Sequence, residues 1–255
     1  MKKSFISILA LCCAVSAVSV SCREKNIPLT DRKEESPEIT ISAPAENRIP
    51  FSVKNISAAR KYLKADIRYP QFKGFPELNK IIRETITVPY KTFAKTAKNN
   101  WKETDNARRE TGSSDDTPPL EYDVICDPVI SNDRYITLLI TTYVFEGGAH
   151  GDTSLSSVTW DIGKKRTVSI TEASGCTLDE IAEACRTYLL DNLQYGGDDQ
   201  ESKDSRVKWI TDGTAADKDT YSVFTCDGIT TAVYFAPYQV APHSSGVVQV
   251  PLAVR

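Results

Sequence analysis

The chain has 255 residues, a formal net charge of −3 and 40% hydrophobic residues. These values are ordinary for a globular protein and exclude a collagen-like rod, a coiled coil and a chain that is disordered throughout. The slightly acidic balance gives no electrostatic footprint for binding nucleic acid. Only two histidines occur, His150 and His243, which disfavours a metal site built from several histidines of one chain.

The N-terminal segment has the features of a lipoprotein export signal. Two lysines precede an apolar run over residues 5–20, which is shorter than the roughly 20 residues that a membrane-spanning helix needs. The run ends in Ser-Val-Ser-Cys22, which resembles a bacterial lipobox, with Ser19 where a leucine is usual. We therefore predict a signal peptide over residues 1–21 and acylation of Cys22. The alternative is ordinary cleavage after Ser21, which leaves Cys22 free.

The next segment, residues 22–48, is predicted to be a flexible tether, because it is polar and rich in proline and charge. Loss of the two N-terminal lysines makes the mature chain more acidic, so membrane contact is expected through the lipid alone. The expected location is the cell envelope, at the outer membrane or the periplasmic face.

The cysteines that remain after export are compatible with disulfide bonds, because the compartment is oxidising. Four cysteines allow three connectivities, and the sequence does not choose among them. None has the CxxC spacing of a zinc ribbon or a thioredoxin-type site. For Cys185 the alternative is a buried thiol, since it lies on the apolar face of a predicted helix. The four residues are Cys126, Cys176, Cys185 and Cys226.

The first half of the folded body, from about residue 49, is predicted to alternate strands with one helix. Apolar residues recur at helical spacing after Pro76, and Pro89 should end or kink that helix. Residues 104–119 are predicted to be a polar loop. A strand that precedes the helix should end before Pro70. Alternation or β-branched content predicts the strands of this half at residues 62–69, 120–126 and 134–145.

The second half is predicted to contain one helix among further strands. Thr177 and Glu180 have the spacing of a capping box, and Gly196 follows the end of the helical pattern. Residues 198–220 form a polar stretch, and Asp227-Gly228 indicates a hairpin turn. The strands of this half are predicted at residues 154–162, 167–171, 221–226, 229–235 and 246–254. The predicted class is α+β, with mostly antiparallel strands and two main helices packed on the sheet.

A glycine-rich segment joins two of the predicted strands. Gly147, Gly148 and Gly151 predict backbone positions with positive φ or very close packing. The segment has no phosphate-loop pattern. It contains His150, and the second histidine, His243, lies in a proline-rich segment near the C-terminus.

Four segments carry a resemblance to a known module. Residues 145–151 read Phe-Glu-Gly-Gly-Ala-His-Gly, and the others are residues 67–74, 160–164 and 234–246. In order along the chain they resemble the signatures of the RsiV/PdaC-type extracellular module. This module occurs in the ectodomain of a lysozyme-sensing anti-sigma factor and in the N-terminal part of a peptidoglycan deacetylase. The likeness runs from about residue 50 to 254 and departs at His243, where the family usually has an aromatic residue.

The resemblance implies an α+β module of two intimately packed subdomains, placed here at residues 49–150 and 151–255. It implies no catalysis, because in the deacetylase the reaction belongs to a separate domain. In the anti-sigma factor the module binds lysozyme. We therefore expect a lipid-anchored binding protein without a cofactor, whose partner is a lysozyme-like wall-active protein or peptidoglycan. Tyr238, Pro242 and His243 are the candidate contacts.

The alternative function is a metal-dependent hydrolase acting on envelope glycans. His150 and His243, with Glu146 or Asp152, could form a zinc site, and imidazoles about 5 Å apart would favour it. The simpler interpretation is that His150 hydrogen-bonds the backbone of its glycine-rich loop. Likewise, Tyr238 and Pro242 could only shape the chain between the last strands.

Overall fold

A computed structural model describes residues 49–112 and 118–253. The predicted signal peptide, the acylated Cys22 and the tether over residues 22–48 lie outside the described residues. The described part belongs to one compact unit, Pro44–Arg255. Among its helices, none is both long and apolar enough to cross a membrane.

The class is α+β, as predicted. The strands and helices follow one another in this order: β1 Phe51–Arg60, β2 Leu63–Phe72, α1 Pro76–Thr111, β3 Leu120–Ser131, β4 Tyr135–Phe145, β5 Asp152–Asp161, β6 Arg166–Thr167, α2 Ile170–Ser174, α3 Leu178–Asn192, α4 Gln200–Gly213, β7 Phe224–Cys226, β8 Thr230–Phe235, a 3₁₀ turn His243–Ser245 and β9 Val248–Ala253.

The strands form two sheets. The larger has the order β1-β2-β3-β4-β5-β6, and the smaller has the order β7-β8-β9. Only β2 and β3 pair in parallel within these sheets, and α1 is the crossover that parallel pairing requires. The helix packs its apolar stripe, which includes Leu78, Ile82 and Ile86, into a core with the larger sheet.

A second core lies between the smaller sheet and the helices α2, α3 and α4. Ile181, Cys185 and Leu189 of α3 and Ile210 of α4 are buried there with Phe235 of β8. The boundary between the predicted subdomains at residue 150 stays a prediction. The positions that matter for function lie at the ends of these elements, in the β4–β5 link and the segment between β8 and β9.

Pro89 does not end the first helix, which was one of the two outcomes expected for it. The helix continues to Thr111 because side chains beyond the proline still find the sheet. The rings of Tyr90 and Phe93 lie 5.5 Å and 5.1 Å from the ring of Tyr122 on β3. This packing compensates for the missing backbone N–H and the steric conflict of an interior proline, which cost about 3 kcal/mol.

Other predictions of local structure were wrong. The polar loop expected over residues 104–119 is partly helix, since α1 includes its first residues, and the polar stretch 198–220 contains α4. Strand β2 continues through Pro70 to Phe72, and β1 was not predicted because its side chains are mostly exposed on both faces.

The strand expected over residues 167–171 does not form over that range, since β6 ends at Thr167 and helix α2 begins at Ile170. Ser169 caps it, and the carboxylate of Glu172 completes a capping box and an ion pair with Arg166. The second capping box, at Thr177 and Glu180, is present as predicted.

Candidate functional site

Three residues predicted to matter for function meet although two distant parts of the chain supply them. The ring centroids of His150 and His243 lie 5.2 Å apart, and those of Tyr238 and His243 lie 5.3 Å apart. We call these three residues the His–Tyr cluster. His150 is exposed, and the Tyr238 side chain is 55% exposed. The cluster is therefore a surface feature, with Pro242 beside His243 in the chain.

The loop that carries His150 depends on its glycines in both of the ways that the sequence predicts. Gly147 and Gly148 have φ values of 94° and 107°, in the left-handed region. At Gly151 the reason is space, because a Cβ atom there would lie 2.4 Å from the ring of Tyr143. These constraints fix the path of the chain on both sides of His150.

The imidazole of His150 forms a hydrogen bond with its own loop. Its Nδ1 lies 3.1 Å from the carbonyl oxygen of Gly151. A carbonyl oxygen only accepts, so Nδ1 is the donor in this hydrogen bond. This is the backbone interaction that the sequence analysis offered as the simpler explanation of His150.

The segment between β8 and β9 holds Tyr238 in an unusual conformation. Tyr238 has a φ of 70°, a region that residues other than glycine seldom adopt. The Nε1 of Trp209 on α4 donates to the Tyr238 carbonyl oxygen at 3.0 Å. The side chain of Gln239 accepts from the backbone N–H of Ala236 and donates to the carbonyl oxygen of Thr220. Strained, well-supported positions of this kind concentrate at functional sites.

Helix α4 approaches this segment so closely that only a glycine fits. A Cβ atom at Gly213 would lie 2.1 Å from the carbonyl oxygen of Gln239 and 2.9 Å from Cγ1 of Val240. The end of α4 and the backbone after Tyr238 are thus in direct contact. Together with the Trp209 hydrogen bond, this contact joins the helix to the His–Tyr cluster.

A cleft lies on the α4 side of the same segment. We call it the aromatic cleft and define it by Tyr195, Arg206, Trp209 and Pro242; its volume is about 500 Å³. The rings of Tyr195 and Trp209 meet edge to face at 6.0 Å. The cleft was not predicted from the sequence, because three of its residues lie in or beside the polar stretch over residues 198–220.

The metal site considered from the sequence is incomplete in the described residues. The two histidines are adjacent, yet no group of three or more His, Cys, Asp or Glu side chains gathers there or elsewhere in residues 49–112 and 118–253. Glu146 and Asp152 therefore do not complete a set with His150 and His243.

The four cysteines of the described part are free thiols, so no disulfide forms among them. Cys185 is fully buried, as the alternative interpretation held. Burial raises the pKa of Cys126 and of Cys185 to about 12, so both stay protonated and unreactive at neutral pH.

Comparison with known proteins identifies a protein family that part of the chain resembles. Residues 56–153 match the protein family described as deacetylase PdaC. These residues are similar to a PdaC-type module. The resemblance indicated by the sequence motifs is confirmed, and the matched residues include the glycine-rich loop with His150. A PdaC-type module is extracellular and envelope-associated, which fits an exported protein. No curated protein matches the chain.

Solved structures extend the comparison beyond the PdaC-type module. A DUF3298-family protein from Bacteroides fragilis is 12% identical, with a TM-score of 0.58 over 80% of this chain and 90% of its own. This likeness shows a shared fold. A DUF3298-family protein from Pseudomonas aeruginosa is 14% identical, with a TM-score of 0.49 over 80% of this chain and 90% of its own.

Proposed function

We propose that this protein is a lipid-anchored binding protein of the cell envelope. Its partner is a lysozyme-like wall-active protein or a cell-wall glycan, which it recognises through Tyr238, Pro242 and His243. The observation that carries the proposal is the exposure of Tyr238 on a rigid support. The side chain is 55% exposed, whereas its backbone is fixed by the indole of Trp209.

A rigid exposed aromatic residue is an efficient contact for a partner. It offers a large area, and little conformational entropy is lost when the partner binds, because the backbone is already ordered. The two imidazoles beside it add groups that donate and accept hydrogen bonds. Gly147 and Gly148 shape the β4–β5 link that carries His150 to this surface.

The experiment is a binding assay with immobilised lysozyme and, in parallel, sedimentation with purified peptidoglycan. We expect Tyr238→Ala and His243→Ala to weaken binding of the true partner at least about tenfold, as at other hot spots. Both variants should unfold in urea like the unmodified protein. Tyr188→Ala is the matched control, because Tyr188 is an exposed tyrosine on α3. Binding unaffected by changes at Tyr238 and His243 would contradict the proposed surface.

The lipid anchor is a separate part of the proposal and is supported by the sequence around Cys22. We expect the protein to fractionate with membranes and to release a diacylglycerol-modified N-terminal peptide on digestion. Cys22→Ser should move it to the soluble envelope fraction without changing its unfolding curve. A protein that stays with membranes after this change would contradict anchoring through Cys22.

A metal-dependent hydrolase is the second candidate, and the 5.2 Å separation of the two imidazoles favours it. Four-coordinate zinc would need two further ligands beside the two imidazoles, for which water and the substrate would have to serve. If His150→Ala and His243→Ala each abolished zinc-dependent release of wall fragments while the fold stayed intact, this function would replace the binding role.

A further inference from the structure

The two aromatic side chains of the cleft each donate a hydrogen bond to the backbone of the protein. Trp209 Nε1 donates to the Tyr238 carbonyl oxygen, and the Tyr195 hydroxyl donates to the Val240 carbonyl oxygen at 3.2 Å. Both bonds lead to the segment after β8, so the orientation of each ring is fixed. Both residues are half-buried, which leaves part of each ring at the surface of the cleft.

Arg206 holds the third side of the cleft in place. Its guanidinium donates to the Tyr195 carbonyl oxygen at 2.6 Å and lies 5.9 Å from the centre of the Tyr195 ring. The Arg206 side chain, which lies on α4, thus holds Tyr195 in position. The result is a preformed concave surface, which binds a ligand without the cost of ordering it.

The polar groups at the mouth of the cleft determine which ligands suit it. Asp199, Glu201, Ser202 and Ser205 also line the cleft, and we call them the mouth residues. The Asp199 carboxylate already accepts from the backbone N–H and the hydroxyl of Ser202. Two carboxylates outnumber the one guanidinium, so a phosphate or another anion would be repelled. A purely apolar ligand would remove the Glu201 carboxylate from water without giving it a partner, which is costly.

A neutral sugar meets both requirements. The C–H face of a pyranose ring carries a slight positive charge and packs on the electron-rich face of an aromatic ring. Its hydroxyl groups donate to carboxylates and exchange hydrogen bonds with serines. The volume of about 500 Å³ lies within the range of small-ligand sites, roughly 300–1,000 Å³.

We propose that the aromatic cleft binds a neutral saccharide chain, with Trp209 and Tyr195 as stacking surfaces and the mouth residues as hydrogen-bonding partners. The inference rests on the proposed binding function and names a glycan as the ligand class. Because Pro242 borders the cleft and Trp209 binds the Tyr238 carbonyl, the cleft adjoins the segment that carries Tyr238 and His243. The cluster and the cleft then act as neighbouring parts of one surface.

The test is calorimetric titration of the full-length protein with the tetramer of N-acetylglucosamine, followed in parallel by tryptophan fluorescence. We expect binding with a change in the emission of Trp209. Trp209→Ala should lower the affinity at least about tenfold, and Trp209→Phe, which keeps an aromatic face, should lower it less while removing the emission change. Trp101→Phe on α1 is the control and should bind like the unmodified protein.

Ser205→Trp is a second variant, which keeps the inference testable if Trp209→Ala fails to fold. Ser205 is exposed at the mouth, so a large side chain there should block the cleft without disturbing the core. Absence of tetramer binding, or full affinity in both Trp209→Ala and Ser205→Trp, would overturn the inference. If lysozyme is captured in a Tyr238-dependent manner while the tetramer does not bind, the proposed function stands and the glycan assignment fails. If lysozyme, peptidoglycan and the tetramer all fail to bind, both proposals fail.

Discussion

Gly213→Ala should destabilise the protein and displace the segment that carries Tyr238. Gly213 is the last residue of α4, and a Cβ atom there would lie 2.1 Å from the carbonyl oxygen and 2.9 Å from the carbonyl carbon of Gln239. Both atoms belong to the main chain. No side-chain rotation relieves the contact, so the helix end or the segment after β8 has to move.

The size of the effect follows from this geometry. Carbon–oxygen contacts across packed backbones are about 3.3–3.6 Å, so the two atoms must move apart by roughly 1.2–1.5 Å. Overpacking of this kind costs about 1–3 kcal/mol, while alanine is favoured over glycine in a helix by up to about 1 kcal/mol. The expected net loss of about 1–2 kcal/mol lowers the melting temperature of a domain of this size by about 2–8 °C.

Urea and thermal unfolding followed by circular dichroism provide the measurement. Gly163→Ala is the control, since its Cβ atom would meet only Asp161 Oδ1 at an ordinary 3.5 Å. We expect the control to stay within about 0.5 kcal/mol of the unmodified protein. Gly213→Ala should also weaken binding of the partner. A Gly213→Ala protein that melts and binds like the control would refute the close contact between α4 and this segment.

Four further predictions concern the loop, metals, thiols and acid. Gly148→Val should lower the free energy of unfolding by about 1–3 kcal/mol, because Gly148 has a left-handed backbone conformation. His150→Ala should lower it by less than about 1 kcal/mol, because the exposed side chain loses one hydrogen bond. Urea melts measure both values, and the reverse order would contradict this account. EDTA should leave the melting temperature unchanged, and a zinc-reversible shift of several degrees would show a metal site. Reduction should likewise have no effect, with free thiols detected by mass spectrometry at the four described cysteines; a bridged pair would contradict it. The hydrogen bond from Arg166 lowers the pKa of Glu172 to about 2. The stability that this ion pair contributes is therefore present above the ordinary pKa of 4.5 and is lost as the pH falls towards 2. Glu172→Gln should make the free energy of unfolding depend less on pH in that window, and an unchanged dependence would argue against the pair.

The elements that the sequence predicts well are those with strong periodicity or a local capping signal. Strand β2 and the start of α1 bury a regular apolar face, and Thr177 with Glu180 specifies the start of α3 through contacts within four residues. For these elements the local preference and the tertiary packing agree, so one sequence window is sufficient.

Helix α4 was missed because little of its stability is visible in its hydrophobic pattern. Its one fully buried side chain is Ile210, and its start depends on the Asp199 cap. The contacts that hold it, from Trp209 to the Tyr238 carbonyl and at Gly213, come from a segment far along the chain. Long-range contacts of this kind leave no periodic signal, and tertiary packing outweighs local propensity.

The candidate site was predicted in part for the same reason. The individual residues of the His–Tyr cluster stood out through their glycine- and proline-rich surroundings, but their meeting depends on how β4, β5 and β8 pack. The aromatic cleft is formed in part by α4, so it could not be predicted when that helix was not predicted. Residue type and local sequence therefore identified candidates, while the fold determined which of them act together.

The central claim is that the surface formed by the Tyr238–His243 segment and α4 recognises the partner. The most direct test is hydrogen–deuterium exchange of the full-length protein, alone and with saturating lysozyme or a soluble peptidoglycan digest. With the true partner, backbone amides of residues 236–246 and of α4 should exchange more slowly, while those of β1 at the far edge of the larger sheet stay unchanged. Protection confined to β1 or α1, with none at residues 236–246, would contradict the claim.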